Sequence, residues 1–153
     1  MISNLSKLNL IQLFFLVILI TGLINFSIFF FDIHGATSLE SNSKNFFFPS
    51  SKIIGTVWTL LMIGLAYTFS IVSKSSKFIA KGVIILFLLC VSYPIYTLGF
   101  SSVKYMILGN LITIFYSSFI VGRLFDKYKK LACVVSLIPI WVIYVTYLMF
   151  NIY

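Results

Sequence analysis

Few side chains in this 153-residue sequence are capable of acid–base or metal chemistry. Three carboxylates, Asp32, Glu40 and Asp126, stand with a lone histidine, His34, and two cysteines, Cys90 and Cys133. The acids are spread over two connections on opposite sides of the chain's expected topology, so with one histidine they cannot assemble a metal-ligand cluster. No paired carboxylates and no nucleophile beside a base occur, and hydrolytic and general acid–base enzymes need one or the other. Both cysteines fall inside apolar segments, where they read as small packing residues and not as a disulfide. What remains is aromatic chemistry. Trp58, in "FFFPSSKIIGTVWTLL" (46–61), is one of only two tryptophans, and a flat indole offers stacking to a flat ligand.

The elements that must position Trp58 follow from composition. The chain is 61% hydrophobic and 9% charged, with mean hydropathy +1.11, which leaves too little polar surface for a water-soluble globule. A spanning helix needs about 20 apolar residues, and five segments qualify, at about 10–31, 53–72, 78–98, 105–124 and 131–150. The expected fold is therefore an all-α membrane protein, one domain over 1–153 built as a bundle of five transmembrane helices. The first segment exceeds a signal-peptide core and "HGATS" is a poor cleavage site, so it is expected to be retained. None of the spans holds an ionisable residue at depth, which counts against ion-coupled transport. No internal repeat suggests paired inverted halves.

The formal net charge of +8 raises nucleic acid as a partner, but the basic residues segregate by side. Lys7, Lys74, Lys77, Lys81, Arg123, Lys127, Lys129 and Lys130 fall on the N-terminal side of a five-pass chain, and only Lys44, Lys52 and Lys104 on the other. Such short clusters beside helix ends face lipid headgroups, so nucleic acid is rejected as a partner. The asymmetry predicts a multi-pass protein of the cell membrane with its N-terminus cytoplasmic and its C-terminus outside.

The connection 32–52 is the longest, and its aromatic run Phe46–Phe48 serves either as an interfacial anchor or as a lid over a cavity. Pro49 ends that loop, and Ser50 or Ser51 is suited to cap the second helix. Within that helix Gly55, Thr59, Ala66 and Ser70 form a stripe of small residues with Trp58 at its border. The fourth helix carries Gly109, Thr113 and Ser117, with Ser118 and Gly122 beside them, and close helix packing is the simplest reading of both stripes. Trp58 itself suits either a helix contact or a lipid-facing anchor. Asn110 requires a hydrogen-bond partner and is expected to face protein, while Pro94 and Pro139 are expected to kink their helices.

"FPSSKIIGTVWTLL" resembles the start of the second helix in the translocator protein family, the tryptophan-rich sensory proteins of the TspO/MBR type, also called peripheral benzodiazepine receptors. Pro49 fits the first of two prolines, Val57, Trp58 and Thr59 the Val-Trp-Thr triplet, and Leu61 the following leucine. Ser50, Lys52, Ile54 and Met62 stand where the family has Pro, Trp, Phe and Tyr. In the third helix Pro94, Tyr96 and Gly99 suit the pattern, while Leu89 and Ser92 replace an Asn and a Trp. In the fifth, Pro139 and Asn151 match, Tyr153 fits a frequent tyrosine and Ile143 replaces a Trp, with Trp141 two positions away. The resemblance implies a five-helix bundle, often a homodimer, with a cavity opening toward the side of the first long loop. It implies a tetrapyrrole ligand, porphyrin or haem, for transport or sensing, and raises light-dependent porphyrin degradation as an activity. On that basis Trp58 stacks on the ligand and Phe48 and Pro49 form the lid. Ile54, Leu89, Ser92, Ile143 and Tyr147 line the cavity, and Asn151 offers a hydrogen bond near its mouth. No cofactor is required and no catalytic residue is assigned. Sterol is discounted, because the chain stops at Tyr153 without the basic residue of the sterol motif, and the loose match at Leu124, Tyr128 and Lys130 is weak. The competing reading is a structural or accessory membrane subunit with no small-molecule ligand.

The charge asymmetry is directly testable. In a background lacking Cys90 and Cys133, a cysteine placed at Ser43 is expected to react with a membrane-impermeant thiol reagent added to intact cells. Labelling only after lysis would reverse the orientation.

Overall fold

The computed structural model describes residues 5, 8–30, 51–99 and 103–150. Five helices follow in order: α1 (Leu10–Phe30), α2 (Ser51–Val72), α3 (Lys77–Gly99), α4 (Val103–Phe125) and α5 (Lys129–Phe150). Their limits lie within about two residues of those expected, the ordinary uncertainty of a helix end. No strand occurs among the described residues. Four of the helices, α1, α2, α4 and α5, are long and apolar enough to cross a membrane by the residues described.

Helix starts are set by local polar contacts that hydropathy does not register. The Asn9 side chain accepts from the Gln12 amide at 2.8 Å while the Asn9 amide donates to the Gln12 side chain at 3.0 Å, a reciprocal capping box at the head of α1. Ser76 accepts weakly from the Ile79 amide at 3.4 Å at the head of α3. The α2–α3 turn is closed by Ser76 N–H to Val72 O at 2.8 Å. Ser75 and Tyr128 share a short hydroxyl–hydroxyl hydrogen bond that ties this turn to the α4–α5 turn. Both turns therefore sit at the same end of the bundle, together with Lys74, Lys77, Lys81, Arg123, Lys127, Lys129 and Lys130.

The bundle is apolar outside, and its largely apolar core encloses a few polar side chains. Phe15, Phe26, Phe30, Phe115 and Phe119 are exposed, whereas Thr21, Thr68, Asn110, Thr113, Ser117 and Thr146 are buried. In lipid this is the favourable arrangement, because tails are as apolar as leucine and only packing and internal hydrogen bonds hold helices together. Threonine hydroxyls fold back on their own helices: Thr21 donates to Val17 O, Thr68 to Gly64 O and Thr113 to Gly109 O, all at 2.8–2.9 Å. Between α4 and α5 the Asn110 amide donates to the Thr146 hydroxyl at 2.8 Å and Thr146 donates on to Val142 O. Asn110 thus faces protein as expected. It belongs to the α4 row Asn110, Thr113, Ser117, Ile120 and Leu124, all buried against the neighbouring helices, and α4 shares its largest interface with α5.

The small-residue stripes are only partly interfacial. Gly55 and Gly122 have nothing within 4 Å of where a Cβ would stand, and Ser118 is exposed. The close approaches occur at two other glycines. A Cβ on Gly64 would lie 2.8 Å from Val134 Cγ1, bringing α2 against α5, and one on Gly82 would lie 2.5 Å from Ile120 Cδ1, bringing α3 against α4. The spacing of small residues shows that close packing is available, but which glycine faces a neighbour depends on helix rotation. α2 is the hub, packing on α1, α3 and α5. α1 is peripheral, and among its described side chains Leu13, Val17 and Thr21, at intervals of four, are fully buried.

Val134 is β-branched and stiff in a helix, so it has little room to yield. Gly64→Leu is expected to cost about 1–3 kcal/mol by overpacking and to lower the unfolding temperature in detergent. Gly55→Leu, at an open position, is expected to leave it unchanged. Equal effects of the two would show that α2 is rotated from the orientation described.

Candidate functional site

Trp58 lies two turns into α2 and is buried, 7% exposed, so the indole is inside the bundle and not a lipid-facing anchor. Its ring packs on that of Tyr93 from α3, with centroids 4.7 Å apart and planes tilted by 40°, within the range of favourable aromatic pairs. Trp58 in turn borders a cleft between α1, α2 and α3 lined by Thr21, Ile24, Asn25, Trp58, Met62, Cys90 and Val91. The site is placed by the antiparallel run of the three helices: Asn25 is near the end of α1, Trp58 near the start of α2 and Tyr93 in the last third of α3. It therefore lies toward the end of the bundle that carries the connection 31–50.

The cleft is almost closed. It leaves about 20 Å³ for the centre of a water-sized sphere, little more than the about 10–15 Å³ that one water requires. A tetrapyrrole does not fit between these walls as they stand. The wall that is least held is α1, whose packing is limited to one narrow stripe. Displacing it outward would widen the cleft while leaving the α2–α5, α3–α4 and α4–α5 contacts in place. Inside, the Thr21 hydroxyl is committed to Val17 O. The half-buried Asn25 side chain supplies the remaining polar group on the α1 wall.

The residues assigned from sequence are distributed unevenly about this cleft. Ile54 is half-buried one turn before Trp58 and packs against the core. Leu89 and Ser92, both half-buried, flank Cys90 and Val91 on α3, and Ser92 donates to Leu89 O at 2.9 Å. Ile143 and Tyr147 are 54% and 65% exposed on the outer face of α5, and the structure does not bring them to Trp58. Phe48, Pro49 and Asn151 lie outside the described residues. Trp141 is on α5 as well, beside Tyr144 at 5.6 Å between centroids and away from the cleft. The residues that sequence reasoning missed are Thr21, Asn25, Met62, Cys90 and Tyr93. A signal was present for two of them: Thr21 and Asn25 are polar residues four apart in an otherwise apolar span, on one helical face. For Tyr93 nothing in the spacing pointed to Trp58.

Among the described residues no group of three or more His, Cys, Asp or Glu side chains is placed to hold a metal ion. The cleft offers one indole, a thioether, a thiol, an amide and a hydroxyl among aliphatic side chains, a set suited to a flat apolar ligand with a polar edge. The sequence model of the TspO/MBR family matches residues 14–153, nearly the whole chain. No curated protein and no solved structure matches the chain.

Closure of the cleft has a chemical readout. Cys90 is buried at 2% exposure and Cys133 is exposed. In mild detergent N-ethylmaleimide is therefore expected to modify Cys133 and spare Cys90, resolved by peptide mass spectrometry. Modification of both at the same rate would mean that α1 stands away from α2 and α3.

Proposed function

Since the chain belongs to the TspO/MBR family, and is thereby a multi-pass membrane protein of the translocator type, we propose that it binds a porphyrin or haem in the α1–α2–α3 cleft for transport or sensing. The observation that carries this reading is the buried Trp58 indole, backed by the Tyr93 ring, at a cleft whose opposite wall is the peripheral helix α1 with Asn25 on it. The family resemblance assigns Phe48 and Pro49 to a lid and Asn151 to a hydrogen-bonding role near the mouth, all three outside the described residues. Ile54, Leu89 and Ser92 extend the wall once α1 has moved. Ile143 and Tyr147, on the outer face of α5, reach a ligand only across a contact with a second copy, which a homodimer would provide.

All five helices cross the bilayer in this reading. α3 has 23 residues, about 34 Å at 1.5 Å per residue, enough for a hydrocarbon core of about 30 Å. The basic end is cytoplasmic and the cleft end external, in a cell membrane. Porphyrin breakdown under light would need an indole at the pigment, and Trp58 is the one tryptophan at the cleft.

The small volume of the cleft favours the accessory-subunit alternative, in which Trp58 and Tyr93 merely pack on each other. Titration with protoporphyrin IX in detergent, followed by tryptophan quenching and the porphyrin absorption band, separates the two. Saturable one-to-one binding is expected. Trp58→Ala is expected to weaken it by roughly threefold to tenfold, the equivalent of about 0.5–1.5 kcal/mol of aromatic contact. Detergent-like partitioning, or unchanged affinity in a folded Trp58→Ala protein, would leave the accessory reading standing.

A further inference from the structure

At the basic end of the bundle the cations are not spread evenly. Arg123, in the last turn of α4, holds its guanidinium 5.2 Å from the ring centre of Phe78 on α3 and 5.8 Å from that of Phe119 on α4. Both rings face outward, Phe78 at 61% and Phe119 at 51% exposure. Two cation–π contacts thus fix a permanent charge on the outer surface of the bundle, where α3 and α4 meet. Lys81, exposed, follows Phe78 by three residues on α3 and so lies on the same side of that helix.

Deeper along the seam the surface turns apolar. Ile85 and Leu88 continue the α3 face and Phe119, Phe115 and Ile112 the α4 face, all exposed. Beneath them the two helices approach closely, with Gly82 against Ile120 and the Tyr116 hydroxyl donating to Gly82 O at 3.3 Å. Ile120 fills the space over Gly82, so the seam is closed beneath a band of exposed apolar side chains from both helices. Asp126 is the one carboxylate at this end, against Lys74, Lys77, Lys81, Arg123, Lys127, Lys129 and Lys130.

We propose that the α3–α4 seam is a binding site for one anionic phospholipid, whose phosphate sits between Arg123 and Lys81 and whose acyl chains lie along Ile85, Leu88, Phe115 and Ile112. The charge at the headgroup level and the exposed apolar band below it match the two halves of such a lipid. Arginine suits the position because its planar fork meets phosphate through two parallel hydrogen bonds while its face rests on an aromatic ring. The site is on the opposite end of the bundle from the Trp58 cleft and is independent of what that cleft binds.

Native mass spectrometry of the detergent-purified protein, titrated with phosphatidylglycerol or phosphatidylcholine, tests this. One retained phosphatidylglycerol is expected, in clear preference to phosphatidylcholine. R123Q/K81Q is expected to weaken retention by roughly tenfold or more, since each basic group near the surface contributes about fivefold. K129Q/K130Q, which removes the same charge elsewhere on that end, is expected to retain the lipid. K81Q alone, at an exposed position, is the measurement to use if the double variant does not fold, with an expected loss of roughly fivefold. Equal weakening by K129Q/K130Q would mean diffuse surface attraction and overturn the site. Displacement by inorganic phosphate would overturn the lipid as its occupant.

Discussion

A bilayer supplies no hydrogen-bond partner, so every polar group in a spanning helix must be satisfied within the protein. That constraint organises this bundle. The threonines spend their hydroxyls on carbonyls of their own helices, which removes the need for a partner and leaves a smooth surface for a neighbour. Asn110 has no such local solution for its amide. It donates instead to Thr146 across the α4–α5 interface, and the most extensive helix contact of the molecule forms around that bond. The row that continues from Asn110 through Leu124 is buried over its whole length. α4 and α5 are accordingly the fixed part of the structure.

Against that fixed part, α2 serves as the hub and α1 as an attachment. Gly64 lets α2 sit down on Val134 of α5, and Gly82 lets α3 do the same on Ile120 of α4. α1 has no comparable device. Among its described residues it fully buries three, half-buries a flank that includes Phe14, Ile24 and Asn25, and exposes Phe15, Leu23, Phe26 and Phe30. The cleft with Trp58, Tyr93 and Asn25 lies between the hub and this loosely held helix.

The two ends of the molecule differ in chemistry. One carries seven described cations and the short Ser75–Tyr128 link between turns; the other carries the aromatic cleft. The cations at the first end lie on different residues from those that line the cleft at the second, so the two ends can be altered separately.

The sequence by itself determined the five helices, because runs of about 20 apolar residues in a polar-poor chain have no other stable form in lipid. It determined the clustering of cations at one end and the burial requirement of Asn110, since both follow from residue type alone. The Val-Trp-Thr triplet and the loop before it carried the family. Helix rotation was not legible. In lipid the outward and inward faces of a helix are nearly equally apolar, so periodicity does not say which way a side chain points. Hence Gly55 and Gly122, chosen by spacing, face open surface, while Gly64 and Gly82 make the contacts. For the same reason Ile143 and Tyr147 emerged on the outside of α5, and Tyr93, with nothing local to mark it, proved to be the ring against Trp58. Spacing fixes which residues share a face, but only packing against the other four helices decides which face is turned inward.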